Sequence, residues 1–157
     1  YNQIVDEKKD LGEIVKSKEY FNLILEEFPN TDFAEDAMFK LELIQEILAS
    51  KELYLANYYL DREKWIPAIN RYKKIVDQYD TTIFIEEALY RLVEINYKLG
   101  LVHEAKKYSV LLGYNYQSSE WYEESYKILN KNYSKKKIEK NTQTEKTLLK
   151  KFQKLFE

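Results

Sequence analysis

The sequence predicts an all-α fold of stacked helical hairpins, and three observations carry that expectation. Only 3 Gly and 2 Pro occur in 157 residues, too few for strands joined by tight turns. Apolar residues recur at helical spacing through most of the chain. Three segments also superimpose on one another, FPNTDFAEDAMFKL (28 to 41), YDTTIFIEEALYRL (79 to 92) and YQSSEWYEESYKIL (116 to 129), at spacings of 51 and 37 residues.

Each copy reads as a helix start. Thr31, Thr82 and Ser119 are placed to accept from the first free amides, and the acids behind them (Glu35 and Asp36, Glu86 and Glu87, Glu123 and Glu124) sit in the positive first turn. The aromatics around each start (Phe28 with Phe33, Tyr79 with Phe84, Tyr116 with Trp121) are expected to clasp the preceding loop. Ala37, Ala88 and Ser125 are small where a neighbouring helix must approach. A second echo places Ala68 and Ala105 37 residues apart, close to the tetratricopeptide repeat of about 34 residues. Tyr72 follows Ala68 by one turn, and Tyr108 follows Ala105 one residue sooner.

The fold class is therefore a tetratricopeptide-like (TPR) helical-hairpin solenoid. Helices are expected at about 10–28, 33–61, 65–79, 83–99, 102–113 and 119–132, with Gly100 and Gly113 as C-terminal stops. The stretch 33 to 61 lacks Gly and Pro, and Phe33, Ala37, Leu41, Ile44, Leu48, Leu55 and Tyr59 keep helical spacing, which predicts one rod of roughly 43 Å. Pro67 falls in the first turn of the next helix, where the missing amide has no helical acceptor to lose. Residues 1–130 form the array in this reading, 131–141 a Lys-rich linker and 142–157 a basic amphipathic C-terminal helix.

That last helix places Leu148, Leu149, Phe152, Leu155 and Phe156 on one stripe beside Lys146, Lys150, Lys151 and Lys154. It can cap the array, lie on anionic lipid or enter a partner groove. Lys146, Lys150, Lys151, Phe152, Lys154 and Phe156 are its candidate lipid or partner contacts. Residues 130 to 157 hold nine Lys against three Glu, a local +6, so the formal charge of −2 leaves −8 on residues 1 to 129. An acidic body argues against nucleic acid as the ligand, because phosphate binding needs a basic face.

The absence of cysteine removes disulfides, thiolate metal sites and cysteine nucleophiles. No apolar run approaches the roughly 18 residues that span a bilayer, and no signal-peptide core opens the chain. Tyr1, Ile4 and Val5 read as the end of a helix already under way, which predicts a fragment. Paired carboxylates at helix starts are accounted for by the helix dipole and share no cleft for acid–base work, so no enzymatic role is expected. His103 is the only histidine, with no His or Cys at metal spacing, and reads as a surface or loop-packing residue. No cofactor or metal is expected.

Tyr58-Tyr59, a short polar loop, Trp65 and Ala68-Ile69-Asn70-Arg71 resemble the fourth repeat of the BamD family. LYRLVEINYKLG (89 to 100), His103-Glu104-Ala105, Leu112-Gly113-Tyr114-Asn115-Tyr116 and Trp121-Tyr122 resemble its α-proteobacterial members. The resemblance covers roughly residues 1 to 130, the last three of the family's five repeats. It implies a non-catalytic scaffold of the outer-membrane β-barrel assembly (BAM) complex, at the periplasmic face of the outer membrane, with an N-terminal lipid upstream of this chain. It also implies partners, namely a POTRA domain of BamA, other BAM lipoproteins, and unfolded outer-membrane proteins held by upstream repeats.

The resemblance further implies that the second helix of the fourth repeat docks on BamA through an arginine paired with an acidic residue. Arg71 matches that position, with Asn70 and Lys74 beside it and Tyr59, Arg62 and Trp65 around them. Tyr54 and Tyr58 are further candidates for contact. Taken alone, Arg71 reads as a member of a solvated or intrahelical ion pair, for instance with Glu63 or Asp77. A TolA-binding cell-division coordinator shares the repeat pattern but is not associated with the long helix or Asn70-Arg71. A nucleic-acid module acting through the tail and a carboxylate-clamping co-chaperone are the remaining alternatives.

Overall fold

The computed structural model describes residues 11–130, which form six helices: α1 (Gly12–Glu27), α2 (Asp32–Leu60), α3 (Trp65–Gln78), α4 (Ile85–Lys98), α5 (Val102–Asn115) and α6 (Glu120–Leu129). No strand occurs among the described residues. The expectations for residues 131–141 and 142–157 lie outside them, as do all six candidate tail contacts. Consecutive helices pack as hairpins, α1 on α2, α2 on α3, α3 on α4 and α4 on α5, and α6 closes against α4 and α5.

The rod is unbroken for 29 residues and serves two neighbours. Its first half lays Ile44 against Ile14 of α1, with Leu11 in the same cluster. Its second half carries Ala49 and Ala56, fully buried where α3 comes close with Ala68, Ile69, Tyr72 and Ile75. Ala88, Leu89, Leu92 and Val93 of α4 and Ala105 and Leu112 of α5 extend that core. Methyl side chains at 49, 56, 68, 88 and 105 let helix backbones approach, while larger residues between them fill the space.

Two of the three expected caps form and the third does not. Thr31 caps α2 by accepting from the Ala34 amide at 3.3 Å, and Ser119 caps α6 by accepting from Trp121 at 3.2 Å. Thr82 caps nothing: it is buried, its hydroxyl donates to the Tyr79 carbonyl at 2.7 Å, and α4 starts after Phe84. Inward hydrogen bonding has displaced the helix start by two residues. Tyr79 and Phe84 both join the core, as do Tyr116 and Trp121, but Phe28 and Phe33 remain 58% and 76% exposed, so that clasp buries little.

Gly100 ends α4 in the left-handed region at φ +77°, where the Leu101 amide reaches back to Asn96. Gly113 is not a stop. Helix α5 runs on to Asn115, and a Cβ at 113 would stand 2.6 Å from the Tyr122 ring, so glycine serves close approach of α6. Ser109 and Ser125 hydroxyls meet at 3.2 Å across the same contact.

Candidate protein-docking groove

The turn joining α2 to α3 sets the site. The Tyr59 carbonyl accepts from both Arg62 and Lys64, and Glu63 takes φ 54°, which folds the chain sharply enough to bring Tyr59 beside Ile66 and Pro67. Asn70, Arg71 and Lys74 follow on one face of α3, since three- and four-residue steps align along a helix. Together Tyr59, Ile66, Pro67, Asn70, Arg71 and Lys74 line an open groove of about 390 Å³. Ile66 is 64% exposed, an apolar residue left to solvent beside two cations.

The cations are fixed from below. Glu52 of α2 is buried, and its carboxylate accepts from Arg71 Nη1 at 2.9 Å and from Lys74 Nζ at 2.6 Å. The expected partners Glu63 and Asp77 are thus replaced by an acid 19 positions earlier, on another helix. Two cations against one carboxylate leave the groove a formal +1, and both retain exposure of 37–39%. Four of the six sequence-derived docking residues therefore share one groove. Arg62 instead donates to the Tyr58 carbonyl at 3.1 Å and lies 3.6 Å from the Tyr58 ring centroid. Trp65 packs on the core, with Lys98 Nζ 5.8 Å from its ring.

A second polar cluster lies on α4. Arg91 donates to Glu94 at 2.9 Å, pairs with Glu87 at 3.6 Å and sits 5.9 Å from the Trp121 ring; Lys98 also reaches Glu94 at 2.9 Å. Burial alone would raise the Glu94 carboxyl, but hydrogen bonds from Lys98 and Arg91 outweigh it and hold the group below the ordinary glutamate range. Burial pushes the Tyr72 phenol well above its ordinary value, and its hydroxyl bonds the Asn57 side chain. The ion pairs stay within α4, whereas the Arg91–Trp121 contact reaches α6 and the Tyr72–Asn57 bond joins α3 to α2. His103 is exposed, and among the described residues no group of His, Cys, Asp and Glu is placed to hold a metal ion. No described helix is long and apolar enough to cross a membrane.

Hairpin stacking and the closing helix define an all-α array of the tetratricopeptide class. The model of the YfiO outer membrane lipoprotein family matches residues 1–112, and the chain belongs to that family. It is 43% identical over 133 residues to the outer membrane protein assembly factor BamD of Rickettsia prowazekii (strain Madrid E), across 85% of this chain and 53% of that protein. It is 35% identical over 132 residues to the BamD of Caulobacter vibrioides, across 84% of this chain and 43% of that protein. A BamD of Neisseria gonorrhoeae is 36% identical over 78 residues, half of this chain and 29% of that protein. The chain thus spans about half the length of the Rickettsia and Caulobacter relatives.

Proposed function

We propose that this chain is a non-catalytic scaffold of the outer-membrane β-barrel assembly machinery that docks on the membrane-proximal POTRA domain of BamA. The supporting observation is the groove between α2 and α3, where Arg71 and Lys74, held by buried Glu52, stand beside exposed Ile66 and Pro67. A planar guanidinium is suited to a partner carboxylate, because its fork binds two oxygens at a lower dehydration cost than an ammonium. Apolar area on both sides excludes water from such a pair and strengthens it. The scaffold acts at the periplasmic face of the outer membrane and contributes geometry to barrel insertion.

The names of the relatives, outer membrane protein assembly factors, agree with this role. The test is binding of the chain to the isolated POTRA domain from the same organism. Truncating or reversing one member of a desolvated charge pair costs about 2 to 5 kcal/mol, so Arg71→Glu should weaken binding at least roughly thirty-fold. Unchanged affinity removes the assignment.

A further inference from the structure

Glu52 has no sequence signal for a role at the groove, yet every cation lining the groove is bonded to it. It sits mid-helix on α2, its side chain 8% exposed, with one oxygen on Arg71 and the other on Lys74. Arg71 and Lys74 are three positions apart on α3, where like charges repel and long side chains sample many rotamers. One shared carboxylate offsets both effects. It uses one of the guanidinium's five N–H donors and one of the ammonium's three, and leaves the others to the groove.

We infer that Glu52 is a positioning residue for docking: it holds the Arg71 and Lys74 side chains as one preformed fork and leaves the groove a single positive charge, matched to one partner carboxylate flanked by apolar side chains. The inference rests on the docking reading above. Preformed donors bind without the entropic cost of ordering them at the moment of contact. A net +1 disfavours a doubly charged phosphate or a cluster of acids, whose second charge finds no counterpart, and favours one Asp or Glu in an apolar setting. Ile66 and Pro67 supply that setting on this side.

The sign of one substitution separates positioning from simple charge. Glu52→Gln removes a negative charge beneath the groove, so long-range attraction alone would tighten binding to an acidic partner. Positioning requires the opposite, a roughly ten-fold weaker affinity carried mainly by faster dissociation. The probe is again the isolated POTRA domain, with folding of the variant confirmed by circular dichroism. In an Arg71→Gln/Lys74→Gln background the same Glu52→Gln change should alter affinity less than about two-fold, whereas a merely structural role would move it in both backgrounds.

Nuclear magnetic resonance of the free full chain gives a reading independent of any partner. The Arg71 side-chain Nε–H should be ordered in the unaltered protein and should gain ps–ns mobility in Glu52→Gln. An Arg71 signal equally ordered in both overturns the inference, as does binding that stays equal or tightens. If Arg71→Glu itself leaves POTRA binding unchanged, the docking reading falls first and takes with it the role assigned to Glu52, whatever the guanidinium does.

Discussion

Glu52 and Arg71 lie on different helices, 19 positions apart, and are joined by a 2.9 Å hydrogen bond whose acceptor is buried and whose donor is half exposed. That asymmetry fixes how the pair contributes to stability. Losing either cation leaves the carboxylate one partner, so Arg71→Gln or Lys74→Gln should cost only about 1 kcal/mol, since both cations are partly screened by solvent. Losing both strands a buried charge, and the double variant should cost about 3 kcal/mol, more than the sum of the singles. Urea unfolding of the four proteins measures this; strict additivity would show that Glu52 is not shared.

Two glycines should respond differently to alanine. At Gly113 a Cβ meets the Tyr122 ring at 2.6 Å, so the helix-propensity gain of about 1 kcal/mol is outweighed by displacement of α6, for a net loss of about 1–2 kcal/mol. Adding Tyr122→Leu should recover part of that loss in thermal melts. At Gly100 nothing stands within 4 Å of the added methyl, and the cost is the left-handed backbone alone, about 1 kcal/mol. No second substitution in a neighbouring helix should rescue Gly100→Ala, while Gly100→Asn should be tolerated better.

Helix count, the unbroken rod and the alanine contacts at 68, 88 and 105 were legible in the sequence because each depends on short-range pattern: apolar period, missing breakers, small residues at repeat spacing. What the pattern could not supply was set by neighbours distant along the chain. Thr82 has the residue type and following acids of a cap, yet its hydroxyl turns inward to Tyr79. Gly113 has the composition of a stop, yet Tyr122 makes it a point of close approach. Four of six docking candidates fell into one groove because they share a helix face and its preceding turn. Glu52 was missed because an acid in mid-helix looks solvated until α3 is laid across it.

Tyr72 links α3 to α2 through its hydroxyl and the Asn57 side chain within the core. Tyr72→Phe should cost about 1 kcal/mol, because the Asn57 oxygen loses its donor. The same change should alter alkaline behaviour. Burial raises the folded-state phenol above its ordinary value of 10.0, so its contribution is fully present below pH 10 and is lost as pH climbs toward the folded value, where only the unfolded chain ionises freely. Burial also raises Tyr79 and Tyr90. The phenylalanine variant should therefore lose stability less steeply above pH 10 in denaturant titrations, without becoming insensitive.

The α4 cluster predicts the acid limb. Although burial pushes the Glu94 carboxyl upward, its bonds from Lys98 and Arg91 leave the folded-state value below the ordinary 4.5. A depressed carboxylate stabilises the fold above the unfolded-state value, and that contribution disappears as pH falls through the folded one, because the folded form must then accept a proton it resists. Glu94→Gln should cost about 1–2 kcal/mol at pH 7, where the bonds from Lys98 and Arg91 lose their charged acceptor and the longer pairing with Glu87 is the ion pair left to Arg91. The gap between the two proteins should stay constant down to about pH 5 and narrow below pH 4.5 as Glu94 is protonated in the parent. Parallel unfolding curves at pH 7, 5 and 3 decide it: a gap that persists undiminished at pH 3 would mean that packing, and not the ionised carboxylate, accounts for the effect of Glu94.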